Sequence, residues 1–255
     1  MTESQRPLSG NGRPGPKRPV TFRVYRSRAG SGAEPRFDTF QVDVDPRMTV
    51  LDALEDIRTG QDPTLLYRHS CHHASCGTCA MKVNHRDVLS CVTNVLELGT
   101  EVVTVEPLGV LPPISDLVVD MTPLAEQISP TGLKTLRLSE YNAKAVAPEG
   151  VGAYHRFENC IECGACVSAC PITNTDSDFL GPAALAATYR ALLKGDTLPE
   201  KLYALADCEH GAWRCHTGWE CTSVCPSDVD PAGLLTALRR RVLVQKVRRL
   251  FGIGG

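Results

Sequence analysis

Twelve cysteines, gathered in short groups with uneven spacing, constrain this 255-residue chain more than any other feature of its sequence. The N-terminal residues lack the apolar core of a secretory signal, so we expect a cytoplasmic chain. Cytoplasmic thiols are kept reduced, which argues against a disulfide framework. The grouping therefore predicts metal binding or redox chemistry.

The first group has the pattern C-x4-C-x2-C, followed by a fourth cysteine after eleven intervening residues. Its members are Cys71, Cys76, Cys79 and Cys91. This is the plant-type spacing of a 2Fe-2S site, where four thiolates converge on two irons. A structural zinc site is the alternative, but zinc motifs usually pair two short C-x2-C turns. His69, His72 and His73 flank the loop, and we expect them to be solvated or to pack the loop rather than to bind metal.

Two cysteine runs in the second half of the chain each end in a cysteine-proline pair, at Cys170-Pro171 and at Cys225-Pro226. The first run is C-x2-C-x2-C-x3-C-P, and in two-cluster ferredoxins the fourth cysteine of such a run binds the other cluster. Exchanging the last cysteines predicts one 4Fe-4S site and one site with three thiolates, which suits a 3Fe-4S cluster. The predicted 4Fe-4S ligands are Cys160, Cys163, Cys166 and Cys225, and the predicted 3Fe-4S ligands are Cys170, Cys215 and Cys221.

Cys208 is left over by these assignments and lies seven residues before Cys215. One interpretation is a buried, inert thiol, because free cysteine commonly packs as a small apolar side chain. The other makes Cys208 a fourth ligand and turns the last site into a second 4Fe-4S cluster. Both interpretations are open at the level of sequence.

The hydrophobic pattern indicates an α+β chain with two folded domains. Residues 1–19 are rich in Gly, Pro and Ser and predict a flexible arm. Residues 20–118 alternate with the period of half-buried strands, with one helix that begins at a capping box of Thr49 and Asp52. We expect a linker over 119–138 and a mainly helical domain over 139–255.

Individual elements can be predicted within this plan. The alternating segments Val20 to Val24 and Phe40 to Val44 predict two strands joined as a hairpin. Further short strands are expected at Ala80 to Val83, Val88 to Ser90 and Val102 to Glu106. Helices are expected from Pro182 to Lys194, ending at Gly195, and from Asp230-Pro231 towards Phe251. The last helix carries six basic residues between Arg239 and Arg249, which predicts either a solvated face or a surface that meets a membrane.

Bulk properties exclude some classes of partner. A formal charge of -2 and a pI near 6.4 give no reason to expect nucleic acid as a partner. No stretch approaches the roughly 18 apolar residues of a membrane-spanning helix, so any association with a membrane is expected to be peripheral.

The cysteine motifs resemble those of the iron-sulfur subunit of succinate dehydrogenases and fumarate reductases. The segment YRHSCHHASCGTCAMKVN with LSCVT resembles the first cluster loop of that family, and ENCIECGACVSACP with RCHTGWECTSVCP resembles its second and third motifs. VEPLGVLPPISDLVVDM resembles its link between domains. The match extends over nearly the whole chain from about Val20.

The resemblance implies a plant-type ferredoxin (β-grasp) domain followed by an α-helical, bacterial-ferredoxin-like domain. It implies electron transfer between a flavoprotein subunit with FAD and quinone at a membrane-anchor subunit, with or without haem b, at the cytoplasmic face of the cell membrane. Succinate chemistry would take place on the partner's flavin, so no catalytic acid, base or nucleophile is expected in this chain. The protein supplies ligands, spacing and tuning of the reduction potentials.

The quinone end of the chain departs from the family's pattern. Many members follow the second motif's cysteine-proline with a tryptophan that contacts quinone, whereas here Pro171 is followed by Ile172. His216 matches the usual Cys-His of the family and is expected near the quinone or a haem propionate, with a structural role as the alternative. The candidate residues near quinone are therefore Pro171, Ile172 and His216.

Iron-sulfur subunits of other flavin oxidoreductases, such as glycolate, glycerol-3-phosphate or heterodisulfide systems, are the alternative function. They commonly pair two ferredoxin-like runs without a plant-type loop. The group from Cys71 to Cys91 is therefore the feature that distinguishes the two interpretations.

Overall fold

The computed structural model describes residues 16–28, 30, 32, 34–131, 160–195 and 198–252. Residues 1–15 of the predicted arm and residues 139–159 of the predicted helical domain lie outside this range. We call residues 16–119 the sheet half and the described residues from 120 onwards the helical half. A large apolar core runs through both halves.

The sheet half is built on a five-stranded mixed sheet with the order β2-β1-β5-β3-β4. Strands β1 and β2 pair antiparallel as the sequence predicts, β1 and β5 are parallel, and β3 pairs antiparallel with β4 and β5. The strands are β1 (Arg18–Arg26), β2 (Arg36–Val44), β3 (Ala80–Val83), β4 (Arg86–Leu89) and β5 (Val102–Glu106). A two-stranded ribbon of β6 (Pro113–Ser115) and β7 (Val118–Val119) follows.

Helix α1 (Val50–Gly60) contributes its apolar face to the core of the sheet half. The predicted capping box is present: the Asp52 amide donates to Thr49 Oγ1, and the Thr49 amide donates to the Asp52 carboxylate. These bonds satisfy donors that the first helical turn would otherwise leave free. The helix is thereby fixed at its N-terminal end. The segment that carries the first cysteine group follows the helix in the chain.

Strand β4 begins earlier than its sequence pattern suggests. The prediction was Val88 to Ser90, whereas β4 spans Arg86–Leu89 and Arg86 pairs with Val83. The reason is a two-residue turn in which Asn84 and His85 both have positive φ angles, 47° and 65°. Such a turn matches strand twist and fixes the register at the first residue after it.

The helical half consists of short helices around the cysteine runs and two longer helices behind them. The helices are α2 (Thr122–Ile128), α3 (Ala165–Ser168), α4 (Gly181–Lys194), α5 (Pro199–Ala206), α6 (Glu220–Ser223) and α7 (Pro231–Leu250). The predicted start and end signals are confirmed: Asp230 accepts the Gly233 amide at the start of α7, and Gly195 ends α4 with φ 77°. Helix α2 lies inside the segment predicted as a linker. Among the described helices, none has both the length and the apolar character needed to cross a membrane.

A buried polar contact joins the two halves. The Ser168 hydroxyl donates to Asp87 Oδ1 at 2.5 Å and accepts the Gly109 amide at 2.7 Å. Burial raises the pKa of Asp87, while the Ser168 bond and the charge of Lys82 lower it. These bonds tie β4 and the segment after β5 to the short helix that carries the second cysteine group, so the two halves are held in a defined relation.

Candidate metal centres

The first cysteine group lies on the loop between α1 and β3, and its fourth member follows β4. Cys71 Sγ accepts the amides of Ser75 and Cys76, both at 3.3 Å, and Cys91 Sγ accepts the Ala74 amide at 3.4 Å. The side chains of Cys71 and Cys76 contact each other, as do those of Cys79 and Cys91, and the charge of Cys71 acts on Cys91. The structure thus brings together the four thiols that the spacing predicts.

Left-handed backbone makes this convergence possible. His72, Ala74 and Gly77 have φ angles of 61°, 58° and 71°. Non-glycine residues seldom adopt this region, and they persist there when the surroundings hold them. The resulting curl turns successive amides towards the sulfurs, in the manner of an anion-binding nest.

The thiols of the first group differ in their electrostatic surroundings. Backbone amide donors lower the pKa of Cys71 to about 7, the largest contribution coming from His73. Burial raises the pKa of Cys91 to about 11. Cys71 on the loop therefore favours the thiolate form, whereas Cys91 after β4 would ionise only beside a cationic centre.

The second group collects cysteines from two separate parts of the helical half. Cys160, Cys163, Cys166 and Cys225 line one enclosed cavity, whose other walls include Ile161, Leu124 and Val229. Burial raises the pKa of Cys160 to about 12 and that of Cys163 to about 11, and it raises the pKa of Cys166 well above its ordinary value. Ionised neighbours, including Cys225, raise these values further.

The third group is smaller. Burial raises the pKa of Cys221 to about 12, and the charges of Cys170 and Cys215 contribute to the same shift. Cys215 Sγ also accepts the Thr217 amide at 3.3 Å. The crossed sets that the sequence predicts are thus adjacent in space.

Cys208 is exposed, and its thiol donates to the Leu205 carbonyl at 3.2 Å. Of the two interpretations, the buried thiol is wrong, because the residue comes just after α5 has ended and the chain turns at the surface there.

The donor sets fit iron-sulfur clusters. Soft thiolate sulfurs prefer iron-sulfur clusters, zinc or copper(I), and the four-thiol cavity has apolar walls with backbone amides available to the sulfurs. Packing several ionisable thiols in such a place is unfavourable unless cations sit between them. Iron supplies that charge, and the three groups would offer four, four and three thiolates.

The first and second groups are in direct contact through Gly77. A Cβ atom on this glycine would lie 2.7 Å from the Ile161 carbonyl oxygen and 2.9 Å from Cys163 Cβ. The charge of Cys79 also acts on Cys163. The charge of Cys221 likewise acts on Cys166, so the three groups form a continuous series.

Comparison with known proteins shows two families of iron-sulfur domains in this chain. Residues 21–126 match the family described as 2Fe-2S iron-sulfur cluster binding domain, and residues 156–229 match the 4Fe-4S dicluster domain family. The chain is 34% identical over 234 residues to the fumarate reductase iron-sulfur subunit of Haemophilus influenzae, covering 85% of this chain and 90% of that one. It is 34% identical to the succinate dehydrogenase iron-sulfur subunit of Paracoccus denitrificans, over 87% of each chain.

The chain belongs to the family of iron-sulfur subunits of succinate dehydrogenases and fumarate reductases. The Mycobacterium tuberculosis fumarate reductase iron-sulfur subunit is 33% identical, over 92% of this chain and 98% of that subunit. A chain of the Mycobacterium smegmatis Sdh1 complex in the apo form superimposes with a TM-score of 0.77 at 25% identity, covering 91% of this chain and 98% of that one.

The candidate quinone residues of this family member lie beside the third group. Pro171 and His216 are exposed, and Ile172 is half-buried against a small core that includes Cys170 and Cys215. The histidines around the first group contact one another and the loop backbone: His69 Nδ1 lies 3.1 Å from His72 Nε2, and His73 Nδ1 bonds the Cys71 carbonyl.

Arg239 has a role that sequence reasoning missed. It donates from Nε to the Ala212 carbonyl at 2.8 Å, from Nη1 to Thr217 Oγ1 at 2.9 Å, and from Nη2 to the Cys215 carbonyl. The sequence grouped Arg239 with the basic residues of the last helix. No local signal distinguishes it, because its partners lie more than twenty residues away in the chain.

We predict that Gly77→Ala weakens the contact between the first two cysteine groups. The added Cβ meets Ile161 and Cys163, and alanine at positive φ costs about 1–2 kcal/mol by itself. Thermal unfolding of the loaded protein should show a clear loss of stability, with a changed EPR signal from at least one of the two clusters.

Two matched glycines separate these causes. Gly99→Ala carries only the cost of positive φ, because its Cβ would meet nothing within 4 Å, and Gly60→Ala carries neither cost. The expected order of destabilisation is Gly77, then Gly99, then Gly60. Equal effects of Gly77→Ala and Gly99→Ala would show that the contact with Cys163 does not matter.

Proposed function

We propose that the subunit conducts electrons between FAD on a flavoprotein and quinone at a membrane-anchor subunit, through 2Fe-2S, 4Fe-4S and 3Fe-4S clusters in that order. Membership of the family gives electron transfer in a succinate dehydrogenase or fumarate reductase complex. The observation that carries the order is the close packing of Gly77 against Cys163, together with the charge interactions of Cys79 with Cys163 and of Cys221 with Cys166. Each cluster would take up and release one electron, and the chain's residues would bind, space and tune the clusters.

The ligand assignment that we propose follows the three groups. Cys71, Cys76, Cys79 and Cys91 would hold the 2Fe-2S cluster. Cys160, Cys163, Cys166 and Cys225 would hold the 4Fe-4S cluster, and Cys170, Cys215 and Cys221 the 3Fe-4S cluster. The exposure of Cys208 and its bond to Leu205 favour three thiolates over four at the last site.

We assign the domains as residues 1–19, 20–118, 119–138 and 139–255, in the order arm, ferredoxin-like domain, linker and helical domain. The five-stranded mixed sheet with one crossing helix supports a β-grasp fold for the second of these segments. Short helices beside paired cysteine runs support a bacterial-ferredoxin-like fold for the last.

The quinone end would face the anchor subunit at the cytoplasmic side of the membrane, with Pro171, Ile172 and His216 nearest to quinone. The support is a set of exposed apolar side chains in the segment around Cys215 and on the C-terminal half of α7. They are Trp213, Trp219, Leu243, Val244, Val247, Leu250 and Phe251. Exposed apolar side chains at this density are typical of interaction sites.

EPR spectroscopy of the loaded subunit tests the function. We predict three distinct centres, with a 3Fe-4S signal in the oxidised state and 2Fe-2S and 4Fe-4S signals on reduction. The physical reason is that three thiolates leave one iron position of a cubane without a ligand. A second 4Fe-4S signal in air-protected protein, with no oxidised 3Fe-4S signal, would contradict the assignment.

Single cysteine changes test the crossed ligation. Cys76→Ser should alter only the 2Fe-2S signal. Cys225→Ser should damage the 4Fe-4S cluster although the residue lies in the last motif, because its thiol faces Cys160 and Cys166. Cys208→Ser is the control and should leave all three signals unchanged. Loss of the 3Fe-4S signal in Cys225→Ser, with an intact 4Fe-4S signal, would reverse the crossing.

The basic residues of α7 test membrane docking. Arg240, Arg241, Arg248 and Arg249 are exposed, and each basic group near anionic lipid contributes about 1 kcal/mol. Changing all four to Gln should leave cluster content and dye-linked activity intact while weakening membrane retention and quinone-linked activity. The difference from wild type should be largest at low salt, because salt screens the attraction that the arginines provide.

A matched variant removes the same charge elsewhere. Lys17, Arg18, Arg47 and Arg58 are exposed on the sheet half, and their change to Gln should leave membrane retention unaltered. If both quadruple variants were retained equally on the membrane, the basic residues of α7 would form only a solvated face.

A further inference from the structure

Arg68 brings a positive charge into the junction between the two halves. The residue precedes the first cysteine of the front group by three positions. Its Nε and Nη2 atoms are closed off from solvent, and within the part of the chain that the structure describes neither has a hydrogen-bond partner. Burying a cation in this way costs several kcal/mol unless an opposite charge offsets it. The position of Arg68 therefore requires a physical reason.

The groups that face the guanidinium belong to two different cysteine groups. Burial lowers the pKa of Arg68, while the charges of Cys163 and Cys79 raise it. A cavity beside the side chain is also lined by Cys76, Thr78 and Glu162. Among the described carboxylates, none forms an ion pair with Arg68 within 4 Å. Among the described residues, the charges that stabilise ionised Arg68 are therefore those of the Cys163 and Cys79 thiolates.

We propose that Arg68 is a shared electrostatic partner of the first two clusters and raises the reduction potential of both. This inference rests on the proposed function, since it requires clusters at these thiols. Reduction adds one negative charge to a cluster, and a fixed positive charge nearby stabilises the reduced form. Arg68 is partly buried and its Nε and Nη2 atoms are shielded from solvent, so its charge is screened less than that of a fully exposed arginine.

A charge placed between two clusters has a specific consequence. It shifts the reduction potentials of both clusters in the same direction. Each potential therefore changes more than the difference between the two potentials does. The third cluster lies beyond the second and should respond less, because electrostatic interaction falls with distance. Arg68 would accordingly raise the reduction potentials of the two clusters at the flavin end relative to that of the cluster at the quinone end.

A purely structural role predicts something different. An arginine that served as a hydrogen-bonding fork would have partners at Nε and Nη2, and these are the two atoms that have none. Replacing such a residue would admit water, which stabilises the more charged reduced form and would raise the potentials. Loss of a positive charge lowers them. The sign of the shift therefore distinguishes the two roles.

The test is a redox titration followed by EPR on the loaded subunit in its complex, comparing wild type with Arg68→Gln, Arg68→Lys and Arg58→Gln. Arg58 is the matched control: it lies on α1, close in sequence, but is exposed with its guanidinium 5.8 Å from the Tyr67 ring centre. Arg68→Gln should lower the midpoint potentials of the 2Fe-2S and 4Fe-4S clusters and leave that of the 3Fe-4S cluster nearly unchanged. Arg68→Lys should stay close to wild type, and Arg58→Gln should cause a much smaller shift.

Several outcomes would overturn the inference. With iron and sulfide content intact, unchanged or raised potentials in Arg68→Gln would do so, as would a shift no larger than that of Arg58→Gln. If Arg68→Gln fails to assemble, Arg68→Lys decides: loaded clusters with potentials near wild type support a role for the charge, and loss of clusters in both variants assigns a structural role. Absence of clusters from the wild-type protein would instead contradict the proposed function.

Discussion

Placing thiols side by side in buried positions is the constraint on which the rest of this structure depends. In the second group, burial and mutual repulsion both oppose ionisation of Cys160 and Cys166. Such a set becomes favourable only when iron is present to balance the charge. The polypeptide contributes residues with left-handed backbone conformation, which curl the loops, and backbone amides that donate hydrogen bonds to sulfur. Metal loading and completion of the fold are expected to be coupled for the same reason.

The junction between the halves serves this constraint. Gly77 lets the first loop approach Cys163 more closely than any side chain would permit, and Ser168 links Asp87 to Gly109 across the same boundary. Short separation between redox centres is what an electron-transferring subunit needs. A junction that is both close and rigid keeps that separation constant, since packed interiors do not deform continuously.

Helix α7 shows how one element can meet two demands. Its inner side uses Arg239 to fix the loop of the third cysteine group, through the Ala212 and Cys215 carbonyls. Its outer side is exposed, basic and in part apolar. The same helix can thus hold the last group in place and present a surface beside it to a partner, which suits the end of an electron-transfer series.

The sequence by itself determined the elements whose signals are local. Period-two alternation predicted the hairpin of β1 and β2, the capping box predicted α1, and cysteine spacing predicted three groups of ligands, an assignment that remains a prediction. Tertiary structure alone decided the features that depend on distant atoms. The turn at Asn84 and His85 moved β4 to an earlier start, the end of α5 left Cys208 exposed, and folding brought Arg68 between two cysteine groups and Arg239 beneath a third. Periodicity and spacing are patterns of residues that are close in sequence. The partner of a buried charge depends instead on which distant parts of the chain come together in the folded protein.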